Sequence, residues 1–230
     1  MKKNNNDTVF VIAAHPDDEI LGCGATIAEH SSRGDDVHIL ILGTGLLARN
    51  NPKDNAASLS KLNAHAKKAA KIVGARSISF CDFPDNQFDS VPLLKIIKEI
   101  EKIAKQIKPS IVYTHNHSDV NIDHRQTSLA CQAAFRPLPK SSVKSVFAFE
   151  VPSSTEWNFI NSNRFCPNTF FSLSEKSLSK KINALESYES EIKNFPHPRS
   201  SEYLKALAKI RGAQAGFFLA EAFEVVYLRK

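Results

Sequence analysis

The chain has 230 residues, of which 42% are hydrophobic and 23% charged, the balance of a globular protein able to bury one large core. No apolar run approaches the roughly 18 residues needed to span a bilayer, and Met1 to Thr8 is too polar for a signal peptide, so a cytoplasmic chain without a membrane span is expected. Net charge is +6, but the lysines are scattered and form no stripe with aromatics, which argues against nucleic-acid binding. Cys23, Cys81, Cys131 and Cys166 contain no C-x-x-C pair, which argues against a disulfide framework or a zinc ribbon.

Val9 to Ala14 is a continuous apolar run and reads as a fully buried strand, stopped by Pro16. Leu21 to Ser32 reads as a helix that Gly34 ends, with Gly22 and Gly24 permitting a close approach to a strand or a ligand. Asp36 to Leu42 is a second strand, Leu46 to Asp54 an exposed loop, and Ala56 to Val73 a helix closed by Gly74. Ser77 to Cys81 is a third strand, followed by a loop through Asp82 to Ser90. Pro92 to Lys108 is an amphipathic helix with Pro109 beyond its end. Ser110 to Thr114 is a fourth strand, and a helix follows from about His124 to Phe135. Val143 to Val151 and Asn168 to Leu173 read as strands, Glu175 to Ile192 and Ser201 to Arg211 as helices, and Ala222 to Leu228 as a last strand. Asn194 to Ser201 is a Pro-rich loop.

Strands alternating with helices predict an α/β fold: a Rossmann-like three-layer sandwich around a mostly parallel sheet of order 3-2-1-4-5, with C-terminal additions. With no repeat and no low-complexity linker, residues 1–230 read as one domain. In that order strands one and four are neighbours, and the strand order reverses between them. Ligands bind in the crevice at such a point. The loop after strand one carries His15, Asp17, Asp18 and Glu19. The loop after strand four carries His115, His117, Asp119, Asp123 and His124. Two imidazoles and a carboxylate are a frequent catalytic zinc set that leaves a position open. His15 and Asp18 are three residues apart, so one turn aims both at a point, and His124 supplies a third donor.

The run His15-Pro16-Asp17-Asp18-Glu19, preceded by Ala13-Ala14, resembles the A-H-P-D-D-E signature of the PIG-L/LmbE family of zinc-dependent de-N-acetylases. His117 to Arg125 is similar to that family's second motif, and Phe83-Pro84-Asp85-Asn86, Arg211-Gly212 and Ala220-Glu221-Ala222-Phe223 are also family-like. The resemblance implies that His15, Asp18 and His124 bind Zn(2+) and that Asp17 is the general base. It implies a hydrolase that removes an N-acyl group, most commonly N-acetyl, from an amino sugar, nucleotide-sugar or related glycoconjugate. Homo-oligomers are common among such relatives. The positive charge mildly favours a phosphorylated substrate.

Asp123 either orients a histidine or caps the following helix, and one residue can do both. Two departures from the family pattern stand out. Asn121 and Ile122 occupy the place of a His-Pro pair, so Asn121 donates a hydrogen bond without delivering a proton, and the acid role falls to His117 or His115. Leu62 and His65 stand where an R-x-x-E pair is common, which leaves substrate binding to Arg49 or Lys61, with Asp85 and Asn86 lining the crevice. These departures keep an alternative open: a catalytically impaired member acting as a sugar- or nucleotide-sugar-binding subunit. Glu221 either points to the crevice or caps a contact. Trp157 either stacks on a sugar or is buried in a core or interface.

Overall fold

The computed structural model describes residues 6–45, 55–159 and 164–229. The loop predicted over Leu46 to Asp54, with Arg49, lies outside the described residues. In chain order the elements are β1 (Thr8–Ala13), α1 (Asp18–Arg33), β2 (Asp36–Gly43), α2 (Asn55–Val73), β3 (Ser77–Phe83), α3 (Leu93–Ile107), β4 (Ile111–His115), α4 (Ile122–Ala134), β5 (Ser145–Phe149), β6 (Thr169–Ser172), α5 (Glu175–Glu186), α6 (Ser201–Gln214) and β7 (Ala220–Leu228). They build a seven-stranded sheet of order β3-β2-β1-β4-β5-β7-β6. The first five strands are parallel, in the expected order. β7 then runs antiparallel between β5 and β6.

β1 explains its own composition. It sits between β2 and β4 with a helical layer on each face, so every residue from Val9 to Ala14 is fully buried. Val9, Val11 and Ala13 pack with Ile27 of α1, Ala66 of α2 and Leu185 of α5. Phe10 and Ile12 face the other way, against Ile96 and Ile100 of α3 and Ala130 of α4. Alternation along one strand thus feeds two cores, each large side chain contributing roughly 1.5–3 kcal/mol on full burial.

α1 is the element that deviates most from regularity. It begins at Asp18, three residues earlier than expected, and is broken at Cys23, where φ is −144° and ψ 24°. The break strands polar backbone groups in the interior, and a buried ion pair takes them up. The Glu221 carboxylate of β7 accepts from Ala25 N at 3.2 Å and Thr26 N at 2.7 Å. Lys181 of α5 donates to Glu221 Oε1 at 2.6 Å and to the Leu21 carbonyl at 2.7 Å. Of the two roles open to Glu221, it therefore caps the second half of α1. Next to the break, a Cβ on Gly22 would overlap the Phe149 ring of β5, so only glycine allows this approach.

α4 also starts two residues early, because Asn121 caps it: its side chain accepts from Asp123 N at 2.8 Å. α5 stops at Glu186, short of the expected Ile192.

Candidate metal centre and catalytic cleft

The neighbouring positions of β1 and β4 bring their following loops together at the carboxyl edge of the sheet, around a cavity of about 270 Å³. The two loops are tied by Ala14 N, which donates to His115 Nε2 at 2.8 Å. Beyond it the chain turns sharply. Asp17 has φ 108°, a left-handed conformation that costs a non-glycine residue roughly 1–3 kcal/mol. The turn is held from behind: Asp17 N donates to Glu19 Oε2 at 3.0 Å, and Tyr188 Oη donates to Glu19 Oε1 at 2.6 Å. This arrangement starts α1 at Asp18 and leaves the Asp17 carboxylate on the cavity wall.

Three donors converge next to it. Asp18 Oδ2 lies 3.3 Å from His15 Nδ1 and 3.2 Å from His124 Nε2. The donor atoms of His15, Asp18 and His124 all fall within 4.8 Å of one another. Each imidazole has its other nitrogen on a separate carboxylate: His15 Nε2 is 2.9 Å from Asp123 Oδ2, and His124 Nδ1 is 3.1 Å from Asp119 Oδ2. A neutral imidazole that donates to a carboxylate at one nitrogen presents a lone pair at the other. Three potential ligand atoms thus converge as a cation site would need.

A second group, His15, Asp85 and Asp123, also comes within ligand reach. There the Asp123 carboxylate is already occupied, accepting from Asn86 N at 2.6 Å and Phe88 N at 2.9 Å as well as from His15. It serves to orient His15, while the helix cap falls to Asn121. Asp119 is built in the same way, taking the Ser154 and Thr155 hydroxyls and Asn121 N, the last two at 2.6 and 2.8 Å.

The buried charges shape one another. Burial pulls the His124 pKa down, but Asp18 and Asp119 outweigh it and raise it to about 9 in the absence of a cation. Burial opposes ionisation of Asp18, yet His124 and His115 hold its carboxyl well below the usual range. Asp17 is raised to about 7 by burial, with Arg199 pulling the other way and Asp18 and Glu19 adding to the rise. Burial disfavours the Asp119 carboxylate too, but His124 overrides it and lowers its pKa to about 2.

Asp85, Asn86 and Asn121 line the cavity, and Asn121 Nδ2 donates to Asn86 Oδ1 at 3.3 Å. His117, expected beside the crevice, lies apart from it. Asn116 Oδ1 accepts from Ser118 N at 2.9 Å, closing a turn that sends His117 outward. Its side chain is half exposed, with Nδ1 3.9 Å from Glu224 Oε2, and it does not line the cavity. His115 is not among the residues that line the cavity either. Its Nε2 is an acceptor for Ala14 N, and its ring stacks on His124 at 4.0 Å. Burial, reinforced by His124, lowers its pKa well below the usual value. Lys61 is exposed and pairs with Glu189 at 3.4 Å, away from the cavity. Trp157 packs edge-on against His197, 6.0 Å between centroids.

Residues 10–135 match the family model described as GlcNAc-PI de-N-acetylase, PIG-L, which is more than half of the chain. The chain belongs to the PIG-L family. An uncharacterized deacetylase of Escherichia coli is 28% identical over 194 residues, 81% of this chain and 93% of the relative. The diacetylchitobiose deacetylase of Thermococcus kodakarensis is 26% identical over 230 residues, 97% of this chain and 84% of the relative. The structure of N,N'-diacetylchitobiose deacetylase from Pyrococcus horikoshii superposes with a TM-score of 0.77 at 18% identity, covering 96% of this chain and 84% of that one. GalB of Pseudomonas putida, a 4-carboxy-2-hydroxymuconate hydratase, superposes equally well, with a TM-score of 0.76 at 24% identity over 97% of this chain and 98% of that one. These likenesses establish the fold. The hydratase shows that the fold alone does not choose the reaction.

Both loops that supply the converging donors of this PIG-L chain lie inside the matched stretch. Several cavity residues lie beyond it: Ser153 and Ser154 after β5, and Glu191 and Arg199 between α5 and α6. The sequence reading missed all four. For Arg199 a signal existed: it is the one permanent charge in the Pro-rich run Phe195-Pro196-His197-Pro198-Arg199. Nothing local tied that loop to Asp17.

Proposed function

We propose that this chain is a zinc-dependent N-deacetylase, hydrolysing an N-acyl, typically N-acetyl, group on an amino sugar, nucleotide-sugar or related glycoconjugate. The observation that carries the reading is the pairing of each imidazole with its own carboxylate, which turns His15 Nδ1 and His124 Nε2 toward Asp18 beside Asp17. Names of relatives that act on diacetylchitobiose support the substrate class.

His15, Asp18 and His124 would hold Zn(2+), which supplies Lewis acidity to polarise the acyl carbonyl and make water a usable nucleophile near neutral pH. Asp123 and Asp119 keep the two imidazoles in the ligating tautomer. Asp17 accepts the proton of the attacking water. With His117 turned outward and His115 bonded to Ala14 N, the same Asp17 carboxyl returns that proton to the departing amine in this reading. Asn86 and Asn121 present amide groups to the sugar. The cytoplasmic location, the single domain over residues 1–230 and homo-oligomer formation belong to the same reading.

The test is metal analysis of the purified protein together with acetate release from a panel of N-acetylated sugars and nucleotide-sugars. Asp17→Ala is expected to keep stoichiometric zinc and lose turnover, whereas Asp18→Ala loses metal affinity. Full activity in Asp17→Ala, or no dependence on metal, refutes the assignment. Stoichiometric zinc with no hydrolysis across the panel converts the chain to a sugar-binding subunit.

A further inference from the structure

Arg199 is, among the described residues, the one lysine or arginine on the cavity wall. It lies on the loop between α5 and α6, remote in sequence from the groups it holds. Its five N–H donors can be accounted for individually. Nε donates to Ser153 Oγ at 2.8 Å. Nη1 donates twice, to Asp17 Oδ2 at 2.8 Å and to Glu191 Oε2 at 2.9 Å. The two hydrogens of Nη2 have no partner among the described residues, although the side chain is only 23% exposed.

The two ends of this arrangement have different consequences. Asp17 sits in a left-handed turn, and the hydrogen bond from Nη1 restrains its Oδ2. Ser153, the anchor at the other edge, is also in the left-handed region, with φ 74°. Strained backbone on both sides of one guanidinium is a pattern of pre-organisation. A donor pair left open on a residue that lines the cavity is a ready contact for a ligand oxygen. Two carboxylates already share the guanidinium charge, so the open edge suits a neutral hydroxyl or carbonyl oxygen better than a phosphate, which would meet Asp17 and Glu191 as well.

We propose that Arg199 is a two-sided residue of this site: it positions the Asp17 carboxylate through Nη1 and contacts an uncharged oxygen of the sugar substrate through Nη2. This rests on the role given to Asp17 above. Removing the first contact affects the chemical step, because misplacing a reacting group by about 1 Å costs on the order of 10²-fold in rate. Removing the second affects substrate affinity, by about tenfold for one hydrogen bond to a charged donor.

Two variants separate these effects in the metal-loaded protein. Arg199→Met is expected to lower kcat by about 10²-fold and raise KM by about tenfold, with zinc content unchanged. Arg199→Lys keeps a cation for Asp17 but loses the planar fork, so KM rises by about tenfold with kcat reduced much less. A crystal structure of Arg199→Met is expected to show the Asp17 carboxylate rotated from its present orientation. Acetate release from N-acetylglucosamine or the best panel substrate supplies the kinetics. An unmoved Asp17 in Arg199→Met overturns the positioning role. A KM unchanged in both variants overturns the substrate contact, and a loss of activity that parallels a loss of zinc overturns both. If Asp17→Ala is inactive while Arg199→Met is fully active, this proposal alone fails. If wild type releases no acetate, the proposed function fails and the Arg199→Met crystal structure still decides the positioning role.

Discussion

Lys181→Met is the sharpest test of how the fold supports the cleft. Lys181 and Glu221 are 4% and 7% exposed, and Lys181 Nζ bridges Glu221 Oε1 and the Leu21 carbonyl. Replacing Lys181 leaves a buried carboxylate with two backbone donors and no counter-charge, and leaves the Leu21 carbonyl without this donor. Removing one partner of a buried pair costs about 3–5 kcal/mol, a large part of the roughly 5–15 kcal/mol that holds a domain together. With a urea slope of about 3 kcal/mol per M, the unfolding midpoint falls by about 1 M or more. Glu221→Gln in the Lys181→Met background removes the stranded charge while retaining an acceptor for Ala25 or Thr26. The double variant is therefore expected to regain about 1–3 kcal/mol over Lys181→Met, a coupling well outside additivity. Urea denaturation of the wild type, Lys181→Met, Glu221→Gln and the double variant, monitored by circular dichroism, gives the coupling. A Lys181→Met cost under about 1 kcal/mol, or strictly additive single changes, would show that the pair does not splice the break in α1.

Three other outcomes are expected. Asp123→Asn weakens the hold on His15 and lowers zinc affinity by about 10–100-fold in a chelator competition, and an unchanged affinity would remove Asp123 from the support of the site. In the metal-free protein, His124 has its pKa raised to about 9, so its contribution to stability is fully present below the ordinary histidine range and is lost as pH rises through about 9. Zinc competes with that same proton; calorimetry near pH 7.5 in buffers of different ionisation enthalpy is expected to show proton release on binding, and buffer-independent heats would contradict it. Gly22→Ala forces a methyl into the Phe149 ring and is expected to cost about 1–3 kcal/mol, read as a lowered Tm, whereas an unchanged Tm would mean that α1 shifts freely against β5.

The parts of the architecture that were legible in sequence were those whose cause is local. A strand buried on both faces must be apolar, and β1 is from Val9 onward; the polar residues that follow it mark the point where that strand leaves the sheet. The parallel order of five strands follows from alternation with helices. The place of β7 did not. Nothing in Ala220 to Leu228 says that it runs antiparallel between β5 and β6, because pairing partners are chosen by packing between distant segments. The break in α1 was equally hidden, since Glu221 and Lys181 repair it from β7 and α5. His117 and His115 show the same limit at the scale of one side chain. Both are histidines beside the cleft in sequence, but the strand ends at His115, which is buried, and the Asn116–Ser118 turn puts His117 outside.

The contrast extends to the two halves of the cavity. The converging donors and Asp17 come from loops of β1 and β4 inside the stretch that matches the PIG-L family model. On the wall, Leu62 stands at the position of the arginine expected from the family resemblance, and it lines the cavity. The guanidinium comes instead from Arg199, on a loop well past the matched stretch, with Glu191 beside it at 2.9 Å. The cation in contact with Asp17 comes from a distant segment, because several segments of the fold end at this edge of the sheet. A pattern search along one helix finds only one of those directions. The donor set is therefore readable from a short motif, whereas the rest of the cavity wall must be sought among all the loops that reach the cleft.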